Sequence, residues 1–236
     1  MKAPQFTVKV IPASDQAFLV VFGTDISPET HAKVKQFIER IRELRGTPIV
    51  SVQPAYASVL LKFDPLRTDA ENLHDELVSQ ISKIDPKGLP GPSPDPFTIP
   101  VCYEDPFAPD LAQVMAHTRL SREEVVGLHS QTSYHAYFLG FMPGFAYLGG
   151  LPARLSTPRL PSPRLKIPAG SVGIAGEQTG VYPIPSPGGW QLIGRTPLIL
   201  FDGRRNPANL LSAGQDVRFQ PISLEEYKRL GGKWDS

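Results

Sequence analysis

A cluster of basic and polar side chains in the second half of the sequence could bind an anion. The guanidinium group of arginine is planar and permanently charged, so it suits carboxylates and phosphates. Taken singly, each of these cations is also compatible with an ordinary surface charge. Taken together, they predict an anion-binding groove. Its basic and polar members are Arg159, Arg164, Lys166, Arg195, Gln178, Thr179 and Tyr182.

Glycine alternates with aromatic residues in residues 138–152 and again in residues 186–190, which end at Trp190. Glycine allows tight turns and a close approach of the backbone to a ligand, and aromatic rings supply stacking area. The same pattern also fits a β-barrel that needs glycine at its corners and rings in its core. We therefore include Trp190 among the predicted substrate- or nucleotide-binding residues.

Familiar catalytic motifs are not complete in this sequence. Residues 169–173 (AGSVG) come within one residue of a nucleophile elbow around Ser171, but the glycine-rich continuation does not predict the helix that such an elbow requires. A GxxxxGK[ST] phosphate-binding loop is lacking, and the five histidines lack the close pairing of a helix-borne metal site. We predict no metal site and assign no catalytic residue.

His129 and Cys102 could each be functional or could simply be buried in the core. His129 follows Val125 on the inward face of a predicted helix, so it is either a binding residue or a hydrogen-bonded core histidine. Cys102 is the single cysteine of the chain and has no base near it in the sequence, which favours a buried, unreactive thiol.

The composition is that of a globular protein without an obvious charged partner. The 236 residues include 41% hydrophobic and 20% charged residues, with a formal net charge of +1. This charge gives no indication of nucleic acid or membrane binding. The sequence shows no apolar run of signal-peptide or membrane-span length, so we expect a cytoplasmic protein.

Residues 1–86 predict a small α/β sandwich of ββαββα order. Alternating apolar residues indicate strands, and two amphipathic segments at helical spacing indicate helices. The first helix should begin after the N-cap Ser27 and end near Gly46, and the second should begin near Asp69.

Residues 87–96 are rich in proline and predict a linker between two domains. In residues 97–236, two short helices precede β-prone segments that glycine or proline interrupts every few residues. This pattern favours a β-barrel or a β-sandwich over parallel α/β units. The second helix carries a capping box formed by Ser121 and Glu124.

The same segments resemble the allophanate hydrolase subunit 1 family, which includes the B subunits of 5-oxoprolinases and a sporulation-kinase inhibitor of bacilli. The strongest matching motifs are residues 138–152, 157–159, 163–164, 167–172, 178–183 and 186–197. The resemblance implies an α+β protein: the small N-terminal α/β sandwich followed by a cyclophilin-like β-barrel.

The resemblance also implies a function. The chain would be the B subunit of a 5-oxoprolinase, converting 5-oxo-L-proline to L-glutamate with ATP as co-substrate, and inactive alone. Its partners would be the C subunit of the enzyme, a second cyclophilin-like protein of the allophanate hydrolase subunit 2 type, and the A subunit. A lactam opened through a phosphorylated intermediate would need cations for carboxylate and phosphate.

Two alternative functions stay open. The chain could be a binding protein that inhibits a histidine kinase, or the carboxyltransferase component of a urea carboxylase. The segment of residues 104–108 (EDPFA) departs from the family's glycine-rich turn, so we carry over no family contact to that loop.

Overall fold

The structure is a computed structural model that describes residues 7–24, 27–44, 46–85 and 95–232. The chain divides into two compact units, Met1–Gly91 and Pro92–Ser236. Of the predicted linker 87–96, only Asp95 and Pro96 belong to the described residues. None of the described helices is long and apolar enough to cross a lipid bilayer.

The first unit has the predicted ββαββα order. Its four strands form an antiparallel sheet in the order β1-β2-β4-β3. The elements are β1 (Lys9–Ser14), β2 (Ala17–Val21), α1 (Pro28–Glu43), β3 (Ile49–Pro54), β4 (Ser58–Phe63) and α2 (Ala70–Ser82). The core contains Phe18 and Val20 from β2, together with Phe37 and Leu77 from the helices, because both kinds of element place apolar residues on one face.

A polar side chain caps the N-terminus of each helix of this unit. The Ser27 hydroxyl accepts a hydrogen bond from the backbone N–H of Thr30. Asp69 caps α2 in the same way. The first helix ends at Glu43, earlier than the predicted end near Gly46, because Leu44 already has an extended conformation.

The second unit is built around a closed barrel, which confirms the expected α+β architecture. The barrel order is β10-β7-β6-β13-β5-β12-β9. Its elements are β5 (Phe97–Cys102), α3 (Leu111–Thr118), α4 (Arg122–Gln131), β6 (Ser133–Leu139), β7 (Ala146–Gly149), β8 (Arg164–Ile167), β9 (Ser171–Ala175), β10 (Gln178–Val181), β11 (Ser186–Gly188), β12 (Gln191–Arg195), β13 (Asp216–Ile222) and α5 (Leu224–Arg229).

Strand β13 closes the barrel. It pairs antiparallel with β6 and parallel with β5, so the first and last strands of this unit are neighbours. Strands β8 and β11 form a separate two-stranded sheet. The barrel core contains Ile99, Val172 and Ile193 among its fully buried side chains.

Ser171 lies at the start of β9, and a strand rather than a helix follows it. The strand-to-helix geometry of a nucleophile elbow is therefore absent at this serine. Cys102 is fully buried, and this burial raises the pKa of its thiol, as expected for an unreactive cysteine.

Candidate ligand-binding site

The predicted binding residues do not lie in one groove. His129 and Thr179 are fully buried inside the barrel. Arg195 lies at the end of β12, where its side chain is bound to the backbone of Ala169. Tyr182 and Trp190 belong to a separate aromatic cluster. Arg159 and Arg164 flank a loop beside that cluster.

His129 lies in a buried chain of hydrogen bonds. Its Nε2 is 2.9 Å from Thr179 Oγ1, and its Nδ1 is 2.7 Å from the hydroxyl of Tyr103. The Thr179 hydroxyl donates its single proton to the carbonyl of Gly173. It must therefore accept from His129, which places the imidazole proton on Nε2 and leaves Nδ1 to accept from Tyr103.

Burial holds His129 neutral. Burial lowers the pKa of His129 from 6.5 to about 3. The ring also stacks on Phe219 with centroids 4.4 Å apart. Both nitrogens have partners and the side chain is inaccessible, so the geometry supports the interpretation of a core histidine that connects α4 to the barrel strands.

Arg195 lies at the end of β12 and is only 8% exposed. Its Nε donates to the carbonyl of Ala169 at 2.9 Å. Its guanidinium carbon lies 5.7 Å from the centre of the Phe107 ring, a distance that allows a cation–π interaction. These contacts support a structural role for Arg195.

Tyr182 and Trp190 pack with Phe145 and Tyr147 in a second apolar cluster. The Phe145 ring makes edge contacts with all three, at centroid distances of 5.0 Å to Tyr147 and 5.6 Å to the other two. Burial raises the pKa of Tyr182 to about 12. The alternation of glycine and aromatic residues thus builds this cluster.

Close packing accounts for the presence of glycine at one of these positions, residue 188. A methyl group on Gly188 would lie 2.5 Å from the Tyr182 hydroxyl and 2.7 Å from Ile167 Cδ1. Because real side chains do not approach so closely, only glycine fits over this tyrosine.

Arg164 forms an ion pair that the sequence did not predict. Its Nη2 donates to Asp110 Oδ1 at 2.5 Å, and Oδ2 of the same carboxylate accepts from the backbone N–H of Leu192 at 2.6 Å. Asp110 is 5% exposed. It occupies the N-cap position of α3, but its side chain makes no cap hydrogen bond and binds Arg164 and Leu192 instead.

Arg159 is exposed and has no ion pair among the described residues. Its charge acts on Tyr147 and Tyr182 and lowers the pKa of both hydroxyls against the opposing, larger effect of burial. Arg159 is therefore an exposed cation that can attract an anion.

Gln178 begins β10 opposite Ala175 and Gly149 and is half-buried. Within the described part of the chain its side chain makes no hydrogen bond to Arg159 or Arg164. Among the same residues, no group of three or more His, Cys, Asp or Glu side chains could hold a metal ion.

Comparisons with known proteins identify relatives along most of the chain. The family model of the carboxyltransferase domain, subdomains C and D, matches residues 8–211. The 5-oxoprolinase B subunit of Bacillus subtilis (strain 168) is 38% identical over 229 residues, which cover 90% of this chain and 92% of that protein. The 5-oxoprolinase B subunit of Escherichia coli O157:H7 is 59% identical over 123 residues, or 52% of this chain and 56% of that protein.

Among solved structures, the crystal structure of TTHA0988 superposes with a TM-score of 0.74 at 35% sequence identity. The match covers 88% of this chain but only 40% of the TTHA0988 chain. The present chain thus corresponds to part of that longer chain.

Proposed function

Since the chain belongs to the family of carboxyltransferase domains, subdomains C and D, we propose that it is the B subunit of an ATP-dependent 5-oxoprolinase. The complex would convert 5-oxo-L-proline to L-glutamate. The observation that carries this proposal is the match to the Bacillus subtilis protein, which extends over nearly the full length of both chains.

The partners in this proposal are the C subunit of 5-oxoprolinase, which is of the allophanate hydrolase subunit 2 type, and the A subunit. The relatives are named as subunits, which implies that other chains act with them. We place the complex in the cytoplasm, with ATP as its co-substrate.

The chain's own contribution in this proposal is binding and orientation of substrate. Tyr182 and Trp190 are only 2% and 6% exposed and belong to the protein interior. The exposed Arg159 and the half-buried Arg164 support a binding role because their guanidinium groups suit a carboxylate or a phosphate. His129, Thr179 and Arg195, by contrast, would support the barrel beneath, because their polar groups are bound to other parts of the protein.

Reconstitution from purified proteins tests the proposal. ATP hydrolysis that depends on 5-oxo-L-proline, together with glutamate formation, should require this chain and the A and C subunits in one mixture. If leaving out this chain does not change the rate, the proposal is refuted, and binding to a histidine kinase becomes the function to examine.

A matched pair of variants extends this assay. Arg159→Gln should lower the rate of the complete mixture at subsaturating 5-oxo-L-proline. Arg154→Gln should not, because the 62% exposed side chain of Arg154 forms an ion pair with the exposed Glu124 and, in the part of the chain that the structure describes, with no other acid.

A further inference from the structure

Two loops of the second unit lie in contact and expose large apolar side chains. The first loop, residues 140–145, joins β6 to β7, and the second, residues 197–209, follows β12. A methyl group on Gly144 would lie 2.6 Å from Phe201 Cβ and 3.4 Å from the carbonyl oxygen of Leu200, so the second loop fills the space for a side chain there. The two loops therefore form one continuous surface, which we call the loop pair.

Phe141, in the first loop, has an unfavourable backbone conformation. Its φ is +67°, in the left-handed region that large side chains rarely adopt. Its side chain does not gain from burial in return, because the residue is 63% exposed. Glycine would adopt this conformation without strain. An exposed aromatic residue in such a conformation indicates that the ring acts on something outside this chain.

The Phe141 ring is held in a fixed position. Its centroid lies 5.6 Å from that of the buried Phe145, with the two planes at 82°. The loop is closed by a hydrogen bond of 3.1 Å from the N–H of Gly140 to the carbonyl of Phe145. A ring that is already ordered loses little conformational freedom on binding, which favours it as the anchor of an interface.

Ile199 adds a second apolar side chain to the loop pair and is 55% exposed. Its carbonyl accepts a hydrogen bond from Arg205 Nη1 at 3.3 Å, which places this arginine next to it. The second loop is also held by its backbone, since the N–H of Asp202 donates to the carbonyl of Ala208 at 2.9 Å. Both apolar side chains thus extend from ordered loops.

Two exposed arginines border these apolar side chains. Arg204 and Arg205 have 89% and 48% of their side chains exposed, and both pair with Asp202. Residues 140–145 and 196–212 contain no other charged residue, so the loop pair carries one net positive charge. One excess charge is too little to hold nucleic acid or an anionic bilayer. It suits a protein surface with an apolar pocket and carboxylates at its rim.

We propose that the loop pair is the surface through which this chain binds its partner subunit. Phe141 and Ile199 enter an apolar pocket of the partner, and Arg204 faces carboxylates at the rim of that pocket. The inference rests on the proposed function in one respect: the partner is the C subunit of 5-oxoprolinase. A polypeptide partner agrees with TTHA0988, in which the part that matches this chain is 40% of one longer chain.

Isothermal titration calorimetry of the purified full chain with the purified C subunit tests this surface. Phe141→Gly should weaken binding at least about tenfold, as expected for an aromatic anchor. Its thermal unfolding midpoint should not fall below that of the wild type, because glycine fits the left-handed backbone at this position. This combination distinguishes a contact with the partner from a role in folding.

The charged rim is tested by Arg204→Glu. This variant should weaken binding and should also reduce the dependence of the affinity on salt, since it removes the attraction between opposite charges.

Two matched controls remove side chains of the same kinds outside the loop pair. Leu66→Gln replaces an apolar residue that is 95% exposed, and Arg154→Gln replaces an exposed arginine. Both should bind the C subunit like the wild type.

The inference is overturned if the wild-type chain does not bind the C subunit, if Phe141→Gly binds like the wild type, or if the controls lose as much affinity as Phe141→Gly. Sedimentation of the chain alone gives a further check. A dimer that Phe141→Gly dissociates would assign the loop pair to a second copy of this chain and would also overturn the inference.

The reconstituted activity is measured separately at limiting C subunit. An active complex whose rate does not change with Phe141→Gly refutes the inference alone. Binding that depends on Phe141, without ATP hydrolysis that depends on 5-oxo-L-proline, refutes the proposed function alone.

Discussion

Acid should destabilise the second unit through one buried imidazole, that of His129. In the folded protein the pKa of His129 is lowered from 6.5 to about 3 because burial disfavours the charged ring. The unfolded chain therefore binds a proton below pH 6.5 that the folded chain does not bind until about pH 3. The contribution of His129 to the free energy of unfolding is therefore complete above pH 6.5 and is lost as the pH falls from 6.5 towards 3.

The magnitude follows from the same pKa values. A tenfold change in proton affinity is worth about 1.4 kcal/mol, so the whole effect is about 5 kcal/mol over the full pH range. Between pH 7.5 and pH 5.0, His129 should contribute a loss of about 2 kcal/mol in the free energy of unfolding. His129 is fully buried, so solvent screening does not reduce this figure.

Urea unfolding at the two pH values, followed by tryptophan fluorescence, measures this effect. Both tryptophans, Trp190 and Trp234, lie in the sequence of the second unit. His129→Gln should be less stable than the wild type at pH 7.5 because it disrupts the hydrogen bonds to Tyr103 and Thr179. The difference between the two proteins should shrink by about 2 kcal/mol at pH 5.0, since glutamine does not titrate.

His117→Gln is the matched control, because His117 lies exposed on α3 in the same unit. Its effect on the free energy of unfolding should be small because the side chain is exposed. If the difference between the wild type and His129→Gln is the same at both pH values, His129 does not carry the expected proton linkage, and the argument that it is held neutral is wrong.

Three further substitutions should lower stability for separate reasons. Asp110→Asn leaves the half-buried Arg164 without its counter-ion and should cost about 2 kcal/mol in urea unfolding. Gly170→Ala should lower the free energy of unfolding by at least about 2 kcal/mol, because φ is +81° and the added methyl group would meet the carbonyl of Thr196. Ser121→Ala removes the capping box of α4, and calorimetry should register a loss of about 1 kcal/mol.

The elements of the first unit were predictable because its signals are local. Ser27 and Asp69 cap their helices through side chains three residues from their partners, so the sequence alone specifies where the helices begin. In β4 the buried Val59, Leu61 and Phe63 occupy alternate positions, whereas β2 (AFLVV) is a continuous apolar run whose pattern indicates a strand but does not identify its buried face. The end of the first helix was placed less well, because no side-chain contact defines it.

The candidate site was predictable only in part, because its contacts join distant segments. Residue types at Arg159 and Arg164 indicated an anion site, but the pairing of Arg164 with Asp110 depends on how α3 packs beside β12. Strand periodicity also did not show that Thr179 and Arg195 are buried. The burial of the barrel's strands on both faces removes the alternation that would have distinguished them.

The parallel pairing of β5 with β13 has a consequence for synthesis on the ribosome. Strand β13 separates β5 from β6, and β5 is otherwise joined to β12 only at the register pair Arg195 and Cys102. The barrel therefore stays open until the segment Asp216–Ile222 has emerged, while β5 and β6 present unpaired edges. The first unit has no such dependence and can fold earlier. A nascent chain arrested before β13 should thus be the form of this protein most exposed to aggregation and most in need of chaperones.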